Sequence, residues 1–164
     1  MLLPQQTFYS LAKQAGELAC LNWDGPAKIL RPSSITGTGE SKEHLIPKLI
    51  NSCLTGEEML FVGEPTHDYV NVRDVVRAIE ILAKTSGKQT VNVSSGTSTG
   101  NEEVLAIVED CTGRRANIKR VDSMRNYDTK GWVVDNSEML KLGWMPESSL
   151  KDSIKEMVEN YGKS

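Results

Sequence analysis

Tyr9 and Lys13 stand four residues apart in the stretch QTFYSLAKQAGE, residues 6–17. On a helix that spacing puts two side chains on one face, about 5–6 Å apart at Cβ. An ammonium beside a phenol favours the phenolate and lowers the Tyr pKa from its ordinary value near about 10. A Tyr tuned in this way can take a proton from a sugar hydroxyl while hydride leaves the same carbon, and the Lys can hydrogen-bond the ribose of a nicotinamide cofactor. Taken alone, the pair is equally what an exposed helix face carries, contributing roughly a few tenths of a kcal/mol.

Other chemistries find little support. Cys20, Cys53 and Cys111 are widely separated, and His44 and His67 stand alone, so no spacing suggests a metal site. The cysteines read as reduced, buried thiols of a cytoplasmic protein. A net charge of −3 with both signs interspersed lacks the clustered basic face that nucleic acid requires. No run of about 18 apolar residues offers a membrane span, and MLLPQQ has neither the basic start nor the apolar stretch of a signal peptide.

The elements that must position the Tyr and Lys alternate between strand and helix. Residues 6–23 form a helix, with Leu11, Ala15, Leu18, Ala19 and Trp23 at helical steps, and Asp24–Gly25–Pro26 stops it. A strand over 27–32 ends at Pro32, and a glycine-bearing loop leads to a helix over 42–55 containing Pro47 and closed by Gly56. Further strands are expected at 59–63, 67–72, 90–96 and 115–121. Helices are expected at 73–85, 100–112, 137–142 and 150–161. The third helix places Val75, Val76, Ile79, Leu82 and Ala83 inward. Thr99 with Glu102, and Ser149 with Asp152, have capping-box spacing. The pattern is α/β, with few strands and a thin sheet. Trp132 and Trp144 read as packing anchors rather than base-stacking groups.

Several stretches, in order, resemble the extended short-chain dehydrogenase/reductases, the NAD-dependent nucleotide-sugar epimerases and dehydratases. YSLAKQAGE resembles their Tyr-x-x-x-Lys helix, and LRPSSITGTG (30–39) their Arg-x-x-Asn-x-Tyr-Gly-Pro-Gly strand and loop. LIPKLI (45–50), LFVGEPTHDYVNVRDVVRAIEIL (60–82) and VNVSSGTSTGNEEVLAIVEDCTG (91–113) follow. RNYD (125–128), VVDNSEMLKLGWMP (133–146) and the final helix complete the series. In that family the Tyr-x-x-x-Lys helix lies near the middle of the protein. The resemblance therefore implies the C-terminal part of a Rossmann-type fold, with the small substrate-binding lobe and without the N-terminal dinucleotide-binding half. No Gly-rich fingerprint follows a strand here. Residues 1–164 then form one partial domain. Residues 1–35 hold the Tyr-x-x-x-Lys helix and following strand. Residues 36–164 are mostly substrate lobe, with one returning strand and helix. Strand edges and an apolar helix face should lie uncovered.

The resemblance also implies roles. Tyr9 is the general base, Lys13 its pKa modulator and ribose ligand, and Pro32 lies against the nicotinamide. Arg125, with Asp128, is similar to a diphosphate clamp, a chemistry that suits a guanidinium fork. Ser34 stands where the family has a phosphate-contacting Asn, His67 where an Arg precedes Asp68, Thr36 for a Tyr and Thr38 for a Pro. Asp74 matches a family Asp and also suits a helix N-terminus. The partners so implied are a nucleotide-diphosphate sugar, with a homodimer or a separate N-terminal Rossmann half. NAD or NADP is the cofactor of the intact family enzyme, and none is expected on this chain alone. Other outcomes are a non-catalytic nucleotide-sugar-binding or dimerisation module, or a truncated, non-functional fragment.

Overall fold

Strand and helix alternate in the computed structural model, which describes residues 8–122 and 131–162. Helix α1 (Phe8–Asn22) leads through five residues into β1 (Lys28–Pro32), followed by β2 (Ser34–Thr36) and α2 (Leu45–Thr55). Next come β3 (Met59–Phe61), β4 (Thr66–Asn71), α3 (Val72–Ala83), β5 (Gln89–Val93) and β6 (Ser98–Gly100). Helix α4 (Asn101–Thr112), β7 (Ile118–Arg120), α5 (Ser137–Lys141) and α6 (Leu150–Glu159) complete the order.

β1 and β5 pair in parallel, Lys28 opposite Gln89 through Pro32 opposite Val93. Side chains alternate across a strand, so the register sorts them into two faces. Leu30, Val91 and Val93 face one way and pack with Val75, Ala78 and Leu82 of α3, together with Met139 and Trp144. Arg31 faces the other way, onto α1, where its Nε donates to Glu17 Oε1 at 2.8 Å. The result is helix, sheet, helix: α1 on one face and α3 on the other.

A second core forms among α2, α4 and α6. Ile46, Leu49, Ile50 and Cys53 meet Phe61, Val104, Leu105, Val108, Ile154 and Met157 there. β4 bridges the two cores. It pairs with β2 in parallel and with β6 antiparallel, while β3 and β7 form a separate parallel pair. Val70 of β4 belongs to the sheet core, and Tyr69 packs against the lobe core.

The departures from the sequence reading have local causes. α2 starts at Leu45 rather than 42, which puts Pro47 in the first turn, where a missing N–H breaks no helical bond. Residues 34–36 are a strand rather than loop because they pair with Tyr69–Asn71. Thr99 does not cap α4. It is drawn into β6 opposite His67, Gly100 takes the N-cap position, and no side chain caps that helix. Ser149 and Asp152 do form a reciprocal capping box on α6. In α3, Val75 and Leu82 face inward as expected, joined by Ala78, whereas Val76, Ile79 and Ala83 stay exposed. α3 has two apolar stripes, and only one meets the sheet. The two tryptophans part company: Trp144 is 1% exposed, and Trp132 is 44% exposed.

No cysteine is disulfide-bonded; Cys53 is buried, and Cys20 and Cys111 are partly so. Among the described residues, no helix is long and apolar enough to cross a membrane. Removing the α6 cap by Ser149→Ala is expected to cost about 1 kcal/mol, measured as a lower urea midpoint at unchanged slope. Leu49→Ala, which empties a fully buried site, should cost about 2–5 kcal/mol in the same measurement.

Candidate functional site

α1 and β1 run in opposite senses. Lys88, at the entry to β5, donates to the Leu21 carbonyl at 2.7 Å, while Glu17 meets Arg31 near the far end of β1. The first turns of α1 therefore project past the C-terminal end of β1. Tyr9 and Lys13 sit on those turns. They share a face, as the spacing predicts, with Lys13 Nζ 5.4 Å from the centroid of the Tyr9 ring. The ammonium lies over the ring in a cation–π contact. Tyr9 is 72% exposed, and α1 buries none of its residues.

Pro32 ends β1 and Ser34 opens β2, so these two site residues flank the crossing from sheet to lobe. Between them Ser33 N donates to the Val93 carbonyl at 2.9 Å. Ser34 is in register with Tyr69. Burial pushes the Tyr69 hydroxyl well above its ordinary pKa, and the nearby charge of Glu40 adds to the shift. Tyr69 therefore remains a neutral phenol rather than a base. Glu40 accepts from Thr36 Oγ1 at 2.8 Å and lies 3.1 Å from His44 Nδ1, tying β2 to the start of α2. Arg125 and Asp128 lie outside the described residues.

Asp68 is the residue whose role sequence reasoning missed. Its carboxylate is fully buried. It accepts from Ser95 N at 2.9 Å, Ser95 Oγ at 2.8 Å, Gly96 N at 3.2 Å and Val134 N at 3.2 Å, with Ser33 Oγ at 3.4 Å. Asp74, the other candidate acid, is also buried and structural. It accepts from Ser148 N at 3.1 Å, Glu147 N at 3.2 Å and Arg77 Nη2 at 2.9 Å, while its own carbonyl receives Trp144 Nε1 at 2.9 Å. The helix-terminal reading of Asp74 is thus right about place but incomplete about cause.

These contacts decide what a dinucleotide could use. A pyrophosphate needs backbone N–H groups presented by a glycine turn after a strand. The turn after β5 contains Gly96, with φ of 74°. Its amides, Ser95 N and Gly96 N, already serve the Asp68 carboxylate. That turn is closed to phosphate. The Gly96 turn thus has neither amide free for a pyrophosphate. Nor, among the described residues, do three or more His, Cys, Asp or Glu side chains gather as a metal site would need.

The α/β fold has counterparts among known proteins. The family model described as NAD dependent epimerase/dehydratase family matches residues 2–94, and the chain belongs to that family. GDP-L-fucose synthase 1 from Arabidopsis thaliana is 25% identical across 99% of this chain and 55% of its own length. UDP-glucose 4-epimerase from Rhizobium leguminosarum bv. trifolii is 27% identical, covering 76% of this chain and 42% of its own. The structure of MoeE5 in complex with UDP-glucose and NAD superimposes with a TM-score of 0.85 at 25% identity, over 96% of this chain and 56% of that one. The dTDP-glucose 4,6-dehydratase from Bacillus anthracis, at 21% identity, shares the fold with a TM-score of 0.85 over 99% and 54%. The chain spans about half the length of the curated relatives it matches.

Tyr9→Phe and Lys13→Ala should each leave the unfolding free energy within about 1 kcal/mol of the parent, because an exposed cation–π pair contributes no more. A larger loss would make the pair structural. Asp68→Ala should cost about 1–3 kcal/mol in the same unfolding measurement, since it removes a buried acceptor shared by several partly buried donors.

Proposed function

We propose that this chain is the C-terminal, substrate-binding half of an NAD-dependent nucleotide-sugar epimerase or dehydratase, with catalysis requiring a dinucleotide-binding half beside it. One observation carries the reading. Among the described residues β1 pairs only with β5, leaving its other edge open. The helices on both faces of this sheet expose apolar side chains: Phe8, Leu18 and Trp23 around α1, and Val76 and Ile79 on α3. An open parallel edge between two apolar helix faces fits a further strand with helices above and below it. The order of the sequence motifs and the half-length match to relatives support the same assignment.

In that assembly Tyr9 Oη takes the proton from the sugar hydroxyl, and Lys13 holds positive charge beside it. Pro32 packs against the nicotinamide. Ser34 donates to a substrate phosphate, and Arg125 with Asp128 clamps the diphosphate. A bound nicotinamide cofactor would supply the hydride-accepting chemistry. The chain alone performs no hydride transfer on this reading, because positioning supplies much of the rate and half the positioning groups lie elsewhere. The exposed apolar surface of α1 favours a second reading, a nucleotide-sugar-binding module that dimerises through that helix.

Calorimetric titration with UDP, dTDP, GDP and NAD separately tests the proposal. One nucleotide diphosphate should bind and NAD should not. NAD binding to this chain would overturn the division of labour, and no binding at all would remove the substrate-lobe reading. Sedimentation of the chain, alone and with Phe8 and Leu18 replaced by Ser, separates the dimeric module from the monomeric half.

A further inference from the structure

We propose that Trp132 is a stacking surface for the nucleobase of the bound nucleotide, an inference that rests on the substrate-lobe reading above. Two tryptophans follow β7, and the structure uses them differently. Trp144 is buried, with its indole N–H committed to the Asp74 carbonyl. Trp132 keeps 44% of its surface exposed, although its backbone is fixed. Its N–H donates to Thr66 Oγ1 at 3.2 Å, and two residues on, Val134 N donates to the buried Asp68. The segment is thus pinned to β4 at both points, and the indole is carried on a rigid support.

The surroundings suit a planar ligand. The His67 ring lies 6.2 Å from the Trp132 ring at an interplanar angle of 64°, and 5.7 Å from the Tyr69 ring. A ring held edge-to-face by its neighbour is oriented without being covered on both sides. His67 and Tyr69 occupy alternate positions of β4 and so share a face, and Ser34 pairs in register with Tyr69. A row of rings therefore leads up to the hydroxyl assigned to a phosphate. A nucleoside diphosphate has this layout, a flat base at one end and phosphate oxygens at the other. Base stacking tolerates different bases because each offers a π face, and its loss to alanine amounts to about tenfold or more in affinity.

The test titrates the purified chain and its Trp132→Ala and Trp132→Phe variants with UDP, GDP, dTDP, inorganic pyrophosphate and a hexose 1-phosphate. Trp132→Ala should weaken the preferred nucleotide about tenfold or more. Trp132→Phe should retain affinity within about threefold, and neither should change pyrophosphate binding. Equal nucleotide affinity in all three proteins would overturn the stacking role while leaving the substrate-lobe reading intact. Dependence on Trp132 for the hexose phosphate but not for UDP, GDP or dTDP would also overturn it, assigning the indole to the sugar. Absence of any nucleotide binding by the parent chain would overturn both. The phenylalanine variant keeps the test decisive if the alanine variant unfolds.

Discussion

The Asp68 carboxylate joins a strand to two irregular segments. It sits on β4, receives the turn after β5 through Ser95 and Gly96, and receives the return of the chain through Val134. A buried carboxylate is tolerable only when its lone pairs are filled, and here they are filled by partly buried donors from two other segments. The dependence is mutual, so the two cores have a fixed relation. Without that acceptor the Gly96 turn and the 132–134 segment would each carry unpaired amides against the sheet. The support next to Trp132, through Val134, depends on this point.

The same contact divides the labour of the chain. By taking the amides of the Gly96 turn, Asp68 removes the one glycine turn that follows a strand of the β1–β5 sheet from service as a phosphate cradle. The groups left at the carboxyl end of β1 are the tyrosine and lysine of α1, the ring of Pro32 and, across the crossing into β2, the hydroxyl of Ser34.

Much of this was legible in the sequence, and the exceptions have physical reasons. Long helices announced themselves by periodicity, and the α6 capping box by its spacing. The three-residue strands β2 and β6 did not, because so short a segment has no period of its own and exists only by pairing with β4. The same pairing took Thr99 away from its expected cap. Periodicity showed that α3 was apolar but not which of its two stripes would be covered, so Val76, Ile79 and Ala83 were misassigned. Asp68 entered the sequence reading only as the residue after His67, and its structural role was not legible because its donors lie 27 and 66 residues along the chain. The pairing of Tyr9 with Lys13 needed only helical spacing, and that was readable. What the pair faces depends on surfaces beyond one helix.

The β1–β5 pairing also bears on the order in which the molecule becomes native. Lys28 and Gln89 meet 61 residues apart, and a parallel pair offers no hairpin to bring its strands together early. Loop closure of that length must be met before the contact rewards it. The α2–α4–α6 lobe closes loops of similar or greater length, but its core includes no residue of α1 or β1 and can condense without them. α1, which docks only onto the finished sheet and buries no side chain of its own, is then the last element to settle and the first to leave. Tyr9 and Lys13, the candidate pair, are carried on the least cooperative part of the fold.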